Sequence, residues 1–287
     1  MWPDVGRACQ DARVSERIPP PDGARGLDLS ARDVNLPSAA RVNNLLKRGT
    51  SHFLPDRQVA AAIMEVEPNI GLMARRNVDF SHRVVRELVS RGVDQFIDLG
   101  CGLPAAETGP LHQAAWNLAP AARFVYVDND PHVLQQVRVL VSGDERTAYL
   151  HADMRSVDAI FSSPQCGILD MSRPVAFLFF ASLHFLHPGD DPAGLIDQMG
   201  ARAAAGSYLA LSHVSHEEFD ADGRVTVQAA FDAVAPGMVC VRTQEEIAAL
   251  FGGRQLLDPG VRYIIDWRPE VEVVPTKLRN IGGVAYL

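Results

Sequence analysis

The apolar positions along this chain change their period near residue 93. Between residues 37 and 92 they recur at spacings of three and four, in "SAARVNNLLKRG" (38–49), "PDRQVAAAIMEVEP" (55–68) and "NIGLMARRNVDFSHRVVRELVSRG" (69–92). That spacing gathers apolar side chains on one face and predicts helices. From residue 94 onward, short and nearly continuous apolar runs take over: "QFIDLG" (95–100), "RFVYVDND" (123–130), "TAYLHAD" (147–153), "PVAFLFFAS" (174–182) and "SYLALSHVS" (207–215). Helical stretches such as "HVLQQVRVLVS" (132–142) and "PAGLIDQMGARA" (192–203) separate them. Strand and helix in alternation, with strands apolar on both sides, predict an α/β fold whose parallel sheet is covered on both faces. "GVRYIIDWRP" (260–269) and "IGGVAYL" (281–287) read as a closing pair of strands.

Three regions follow. Residues 1–27, rich in Pro, Gly, Arg and Asp and without an apolar core segment, are expected to be a disordered lead-in, not a signal peptide. Residues 28–93 form an N-terminal helical lid region, and residues 94–287 the sheet-bearing core. The most apolar stretch, "PVAFLFFASLHFL" (174–186), is shorter than the roughly 20 residues that cross a bilayer, so it reads as a central strand and no membrane partner is expected.

Composition narrows the function. At 287 residues and 47% hydrophobic content, the chain has material for one large catalytic core. A formal net charge of -8 with no run of Lys or Arg argues against nucleic acid as a partner. Cys9, Cys101, Cys166 and Cys240 are scattered without CxxC spacing, which suits a reducing cytoplasm and disfavours a disulfide framework or zinc ribbon. Nothing in the sequence reads out the oligomeric state.

The chemistry concentrates at three strand ends. In a doubly wound sheet a ligand lies beyond the carboxyl ends of the strands, where "DLGCGLP" (98–104) follows the first strand. Gly100 and Gly102 would let the backbone approach a ligand closely, although tight turns also use glycine with no ligand at all. The second strand ends on Asp128, where an acid can accept both ribose hydroxyls of an adenosine. The third ends on Asp153, placed to receive an adenine amino group. A nicotinamide dinucleotide is the competing ligand, because Gly100, Gly102 and Ala105 fit a relaxed G-x-G-x-x-A pattern with an acid further on. Against it, Asp98 suits an ammonium, Pro104 lacks the N–H that a pyrophosphate cradle would use, and Asp153 would have little to do.

Taken together, "PSAARV", "PDR", "RRN", "FIDLGCGLP", "VYVDNDP", "HADMR", "LHF", "DDPAGL", "GSYLALSH" and the late "GGV" resemble the class I S-adenosylmethionine-dependent methyltransferases. The resemblance is to the bacterial S-adenosyl methyltransferase family formerly labelled a domain of unknown function, and covers roughly residues 37–284. It implies a Rossmann-like, seven-stranded, mostly parallel sheet with an antiparallel last strand, and S-adenosyl-L-methionine as cofactor. It implies further that Asn77 belongs to the site, that Asp98, Gly100, Cys101, Gly102, Leu103 and Pro104 face the methionine moiety, and that Asp128 and Asn129 face the ribose. Asp153 and Met154 would face the adenine, and Ala181, Ser182 and Leu183 the sulfonium side. Family relatives commonly read Tyr-Asp-Tyr-Leu-Leu-Gly-Gly-Lys-Asp-Asn where this chain has "NNLLKRGTSH" (43–52), so residues 41–57 are expected to roof the acceptor pocket and to set an acceptor of their own.

His184 and His213 follow the fourth and fifth strands and are the candidate catalytic residues. A histidine titrating near neutrality there could deprotonate an acceptor. "HFLH" and "HVSH" also hold H-x-x-H pairs, but His187 and His216 look like loop positions and Asp190 and Asp191 like caps of the next helix, so no metal is expected. The reading is a methyltransferase acting on a small molecule, placed in bacterial specialised metabolism by family analogy alone. The alternatives are a methyltransferase-like protein that binds the cofactor but catalyses a cyclisation or rearrangement, and a partner subunit without catalysis.

Overall fold

Three helices come first, as the three- and four-residue spacing requires: α1 (Ala39–Leu46), α2 (Leu54–Val66) and α3 (Ile70–Ser90). In the computed structural model the described residues are 34–105, 107–141, 143–234, 237, 239–269 and 279–287, so the lead-in expected over residues 1–27 lies outside them. A glycine stop ends α3. Gly92 takes φ +89, its amide donates to the Val89 carbonyl at 2.9 Å, and the Val93 amide donates to the Leu88 carbonyl at 3.1 Å. The left-handed residue turns the chain directly into the first strand.

The strands are β1 (Gln95–Leu99), β2 (Arg123–Asp128), β3 (Thr147–His151), β4 (Ala176–Phe180), β5 (Tyr208–Ser215), β6 (Arg262–Tyr263) and β7 (Arg279–Tyr286). They form one seven-stranded sheet in the order β3-β2-β1-β4-β5-β7-β6. β1 to β5 pair in parallel, and β7 runs antiparallel to both β5 and β6. The order reverses between β1 and β4, which places the switch point where "DLGCGLP" leaves the sheet. The helices between strands are α4 (Leu111–Trp116), α5 (Pro131–Val141), α6 (Val157–Phe161), α7 (Pro192–Gly200), α8 (Ala221–Val234) and α9 (Gln244–Ala249).

Side chains alternate across the sheet because a strand has a period of two. Phe96, Phe124, Tyr126, Leu178 and Ala210 join Phe80, Val84, Val85 and Leu88 of α3 in one apolar cluster. Their neighbours Ile97, Val125, Phe177, Phe179 and Leu209 join Ile160 of α6, Leu195 and Ile196 of α7 and Ile247 of α9 in the other. The expected two-sided α/β sandwich is therefore present. α3 shares its core with the sheet, while α1 and α2 carry few members of either cluster. Asp98 and Asp128 continue the alternation on the α3 face, which brings both acids to one side of the strand ends.

Candidate functional site

The loop after β1 is fixed by its backbone. Gly100 has φ +73 and Gly102 φ +56, and the amides of Gly100 and Cys101 both donate to the Val127 carbonyl, at 2.8 and 3.1 Å. A Cβ on Gly100 would stand 2.6 Å from Ser182 Cβ and 2.9 Å from Met154 Cε, so no larger residue fits between the ends of β3 and β4. A Cβ on Gly102 would meet nothing within 4 Å. The first glycine is thus demanded by packing and the second opens onto free space. Leu103 is buried and Pro104 half-buried.

Asp128, at the end of β2, is 8% exposed. Its Oδ2 accepts the Gly102 amide at 2.8 Å, and its Oδ1 accepts the Asp130 amide at 2.9 Å, so one carboxylate ties the first loop to the second. Asp98 is buried as deeply, at 5% exposure, yet no hydrogen bond from a described residue reaches its carboxyl. Burial first, and the Asp128 charge second, push its pKa up to about 7, with Lys47 pulling the other way. Burial also lifts the Cys101 thiol well above its ordinary value, which keeps it protonated and inert as a nucleophile. Asn129 is exposed, and its carbonyl meets His151 Nε2 at 3.0 Å.

Two residues beyond β3, and not on its last residue as expected, Asp153 is held by Arg155, with Nε to Oδ1 at 3.0 Å and Nη2 to Oδ2 at 2.6 Å. Arg155 Nη1 also donates to Asp190 at 2.9 Å. A ligand at Asp153 would have to share it with this guanidinium. Met154 is half-buried, its methyl turned toward Gly100.

The loop after β4 carries strain. Ala181 has φ +52, a conformation an L-residue rarely adopts and one that persists only where the surroundings hold it. Its amide donates to the carbonyl and the Oγ of Ser212, each at 3.0 Å, and Ser212 Oγ donates in turn to Asn77 Oδ1 at 2.6 Å. Asn77 therefore positions Ala181 from α3 through β5. Ser182 Oγ and His184 Nδ1 are buried and find no hydrogen-bond partner among the described residues. Leu183 is fully buried.

The two histidines depart from the role expected of them. His213 is fully buried, and both ring nitrogens are engaged: Nδ1 donates to the Val214 carbonyl at 2.7 Å and Nε2 accepts from Arg242 Nη1 at 2.5 Å. It has no nitrogen left for an acceptor and is a structural residue, a correction to the catalytic expectation. Burial, with the Arg242 charge adding to it, lowers the pKa of His184 to about 3. The imidazole is neutral through the physiological range and does not titrate near neutrality, the second correction. Arg242 was not foreseen from sequence. Buried at 6% exposure, it donates to the carbonyls of Leu183 and Leu186 at 3.2 and 2.8 Å and so builds the turn that carries His184. Its partners lie 56 and 59 residues away, so no local pattern announces it. Asp191 does cap α7, accepting the Gly194 amide at 3.0 Å. Among the described residues no group of three or more His, Cys, Asp or Glu is placed to hold a metal ion.

The N-terminal helices reach the same strand ends. Arg41 of α1 and Asp56 of α2 form an ion pair at 2.8 Å with side-chain exposures of 2% and 0%. Asp56 also accepts the amides of Ser38 at 2.9 Å and Phe53 at 2.7 Å. Burial raises its pKa, but these bonds outweigh that and hold it below the usual carboxylate value. Ser38 Oγ donates to Asp130 just beyond β2, and the Phe53 ring meets the His132 ring edge-on at 5.4 Å. Lys47, at the end of α1, donates from Nζ to the Leu103 carbonyl at 2.6 Å. These contacts set α1 and α2 above the loops after β1 and β2. The sequence reading passed over Arg41, Lys47 and Asp56. An arginine among the apolar positions of α1 and an acid in the first turn of α2 were the available signals.

This arrangement fits a ligand that presents an ammonium, a ribose and no phosphate. Asp98 offers an unbonded carboxyl, Gly102 an open flank, Asp128 an acid at the second strand end, and Ser182 and His184 unpaired polar atoms beside a strained turn. Comparison with known proteins gives the same direction. A family model described as S-adenosyl methyltransferase matches residues 28–287. A protein of Thermobifida fusca YX assigned as a methyltransferase is 32% identical, with a TM-score of 0.81, covering 88% of this chain and 96% of its own. A DUF574 family protein from Streptomyces avermitilis MA-4680 is 30% identical, with a TM-score of 0.81, covering 88% of this chain and 98% of its own. No curated protein matches the chain. Matched along nearly all of its described length, the chain belongs to the S-adenosyl methyltransferase family and is an α/β methyltransferase whose cofactor is S-adenosylmethionine.

Proposed function

We propose that the acceptor of the methyl group is a small molecule, and that the residues at the ends of β1 to β4 bind the cofactor in the roles expected of them. The observation that carries the first part is the cover over the strand ends. α1 and α2 are locked to each other by a buried ion pair and held to the strand-end loops by Ser38 on Asp130 and Lys47 on Leu103, which suits a site that encloses its substrate. A net charge of -8 offers no footprint for nucleic acid. The placement in specialised metabolism rests on family analogy.

S-adenosylmethionine supplies an electrophilic methyl group on a sulfonium, whose thioether is the leaving group. The protein's part is then mainly proximity and alignment. Asp128 accepts hydrogen bonds at the ribose while it keeps the Gly102 amide in place. The strained Ala181 turn, held through Ser212 and Asn77, sets the direction in which Ser182 and His184 face the sulfonium side. His184, kept neutral by burial and Arg242, orients the acceptor by a hydrogen bond at Nδ1 and does not remove a proton as a base titrating near pH 6.5 would. α1 and α2 keep water from the transfer.

The test uses the protein with S-adenosylmethionine and a bacterial extract divided by ultrafiltration. S-adenosylhomocysteine should form with the low-molecular-weight filtrate and not with the macromolecular retentate. Formation with the retentate alone would overturn the small-molecule reading. A bound cofactor with no turnover on any fraction would favour the non-methylating alternatives.

A further inference from the structure

Lys47 has an environment that the strand-end chemistry leaves unexplained. It lies at the C-terminal cap of α1, and its ammonium reaches down to the glycine loop, donating to the Leu103 carbonyl at 2.6 Å. An ammonium has three donors, and this is its one hydrogen bond among the described residues. No carboxylate of a described residue stands within ion-pair distance. The residue keeps some exposed surface, but the protein packed around its head desolvates it enough to lower its pKa to about 8, against the pull of Cys101, Asp98 and Asp128. Asp98 is the complementary case, a buried carboxyl with no hydrogen bond from a described residue, near enough that each charge shifts the other. A cation of the covering helix, held on the glycine loop, and a buried carboxyl at the end of β1 thus lie in one electrostatic neighbourhood, and no described residue forms an ion pair with either.

We propose that Lys47 binds the α-carboxylate of the cofactor's methionine end, so that the bound amino acid, with its α-ammonium at Asp98 as already expected, bridges α1 to β1. The proposal rests on the cofactor assignment above. The chemistry is specific. The methionine end is a zwitterion, its carboxylate is the cofactor's one anionic group, and charge-assisted bonds are the strong ones. The two ammonium donors left over by Leu103 suit a carboxylate. Ligand binding would then tighten the hold of α1 on the loop, because the carboxylate adds a second bond between Lys47 and the sheet.

The test compares two ligands that differ by the carboxylate alone. Binding of S-adenosylmethionine and of decarboxylated S-adenosylmethionine is measured by calorimetry at pH 7 and low salt, for the unchanged protein, Lys47→Met and Lys47→Arg. Lys47→Met should weaken S-adenosylmethionine by at least about tenfold, the scale of one lost charge-assisted bond. It should leave decarboxylated S-adenosylmethionine within roughly threefold, because that ligand lacks the group Lys47 would hold. Lys47→Arg should restore much of the loss. Equal weakening of both ligands would mean that Lys47 only staples α1 to the loop, and no weakening would mean that it has no part in binding; either result overturns the proposal. Should Lys47→Met fail to fold, the unchanged protein still decides, because equal affinity for the two ligands would exclude a carboxylate contact. Binding of neither ligand to the unchanged protein would instead refute the cofactor assignment itself.

Discussion

The strand ends and the helices above them hold their charged groups in opposite ways. Over the strand ends, Asp98 is buried at the tip of β1 with no hydrogen bond from a described residue, and its pKa rises to about 7. In the helices, Asp56 is buried more completely, yet it accepts bonds from Arg41, Ser38 and Phe53, and its pKa falls below the ordinary value. The same side chain at similar burial is thus a source of stability in one place and a cost in the other. A buried carboxylate that is fully bonded belongs to the architecture. One left unbonded at a strand end is the kind of group a ligand can satisfy, as proposed for Asp98.

Removing the bonded acid should have the largest effect. Asp56→Ala leaves the Arg41 guanidinium buried and unpaired, which costs on the order of 3–5 kcal/mol, read by urea unfolding. Replacing both partners, with Arg41→Met and Asp56→Leu, should recover much of that loss, because two apolar side chains need no compensation. A single-variant loss below about 1 kcal/mol would show that α1 and α2 are not secured by this pair.

The unbonded acid should respond with the opposite sign. A carboxyl whose folded pKa is raised, from 3.8 to about 7, contributes stability that is present below the unfolded value and lost as pH rises through the folded one. Asp98→Asn removes that loss. The ligand-free variant should therefore gain stability over the unchanged protein as pH rises from 5 to 8, by about 2 kcal/mol at the top of the range. Its affinity for S-adenosylmethionine should fall at the same time. The groups facing Asp98 are Asp128, Lys47, Cys101 and Tyr126, so the midpoint of the gain belongs to that cluster. A thermal-shift series in which the two proteins keep a constant difference across this range would contradict the assignment.

The smallest effect is expected at His184. Its ring is neutral from pH 5 to 8, so His184→Ala should leave the shape of the pH–rate profile unchanged there. The rate should drop by less than about tenfold, short of the 10²–10⁴ that general acid–base catalysis supplies. A limb near pH 6.5 that disappears in the variant would restore the base that burial argues against.

Legibility follows the same division. "FIDLGCGLP" and "VYVDND" announce themselves because a buried strand, a glycine turn and a terminal acid lie within ten residues of one another, and the parallel sheet then brings such ends together. His184 and His213 were visible as residues, but their states were not. Neutrality at His184 and immobility at His213 come from burial against Arg242, which enters from beyond α8. Arg41, Lys47 and Asp56 were harder still, since the partners that fix their states lie 15 and 56 residues away in the chain.

The sequence by itself determined what short-range pattern can determine: the alternation of strand and helix, the two-sided burial of the sheet, the glycine loop and the acids at or near the ends of β1, β2 and β3. These depend on side-chain period and backbone preference, which neighbours in the chain decide. The tertiary structure decided which of the charged groups are satisfied. Asp56 finds Arg41 from 15 residues away, Lys47 finds the Leu103 carbonyl from 56, and Asp98 finds no hydrogen bond from any described residue. Protonation state and bonding depend on the groups and solvent that surround a side chain in space, and those are fixed only when distant segments pack together.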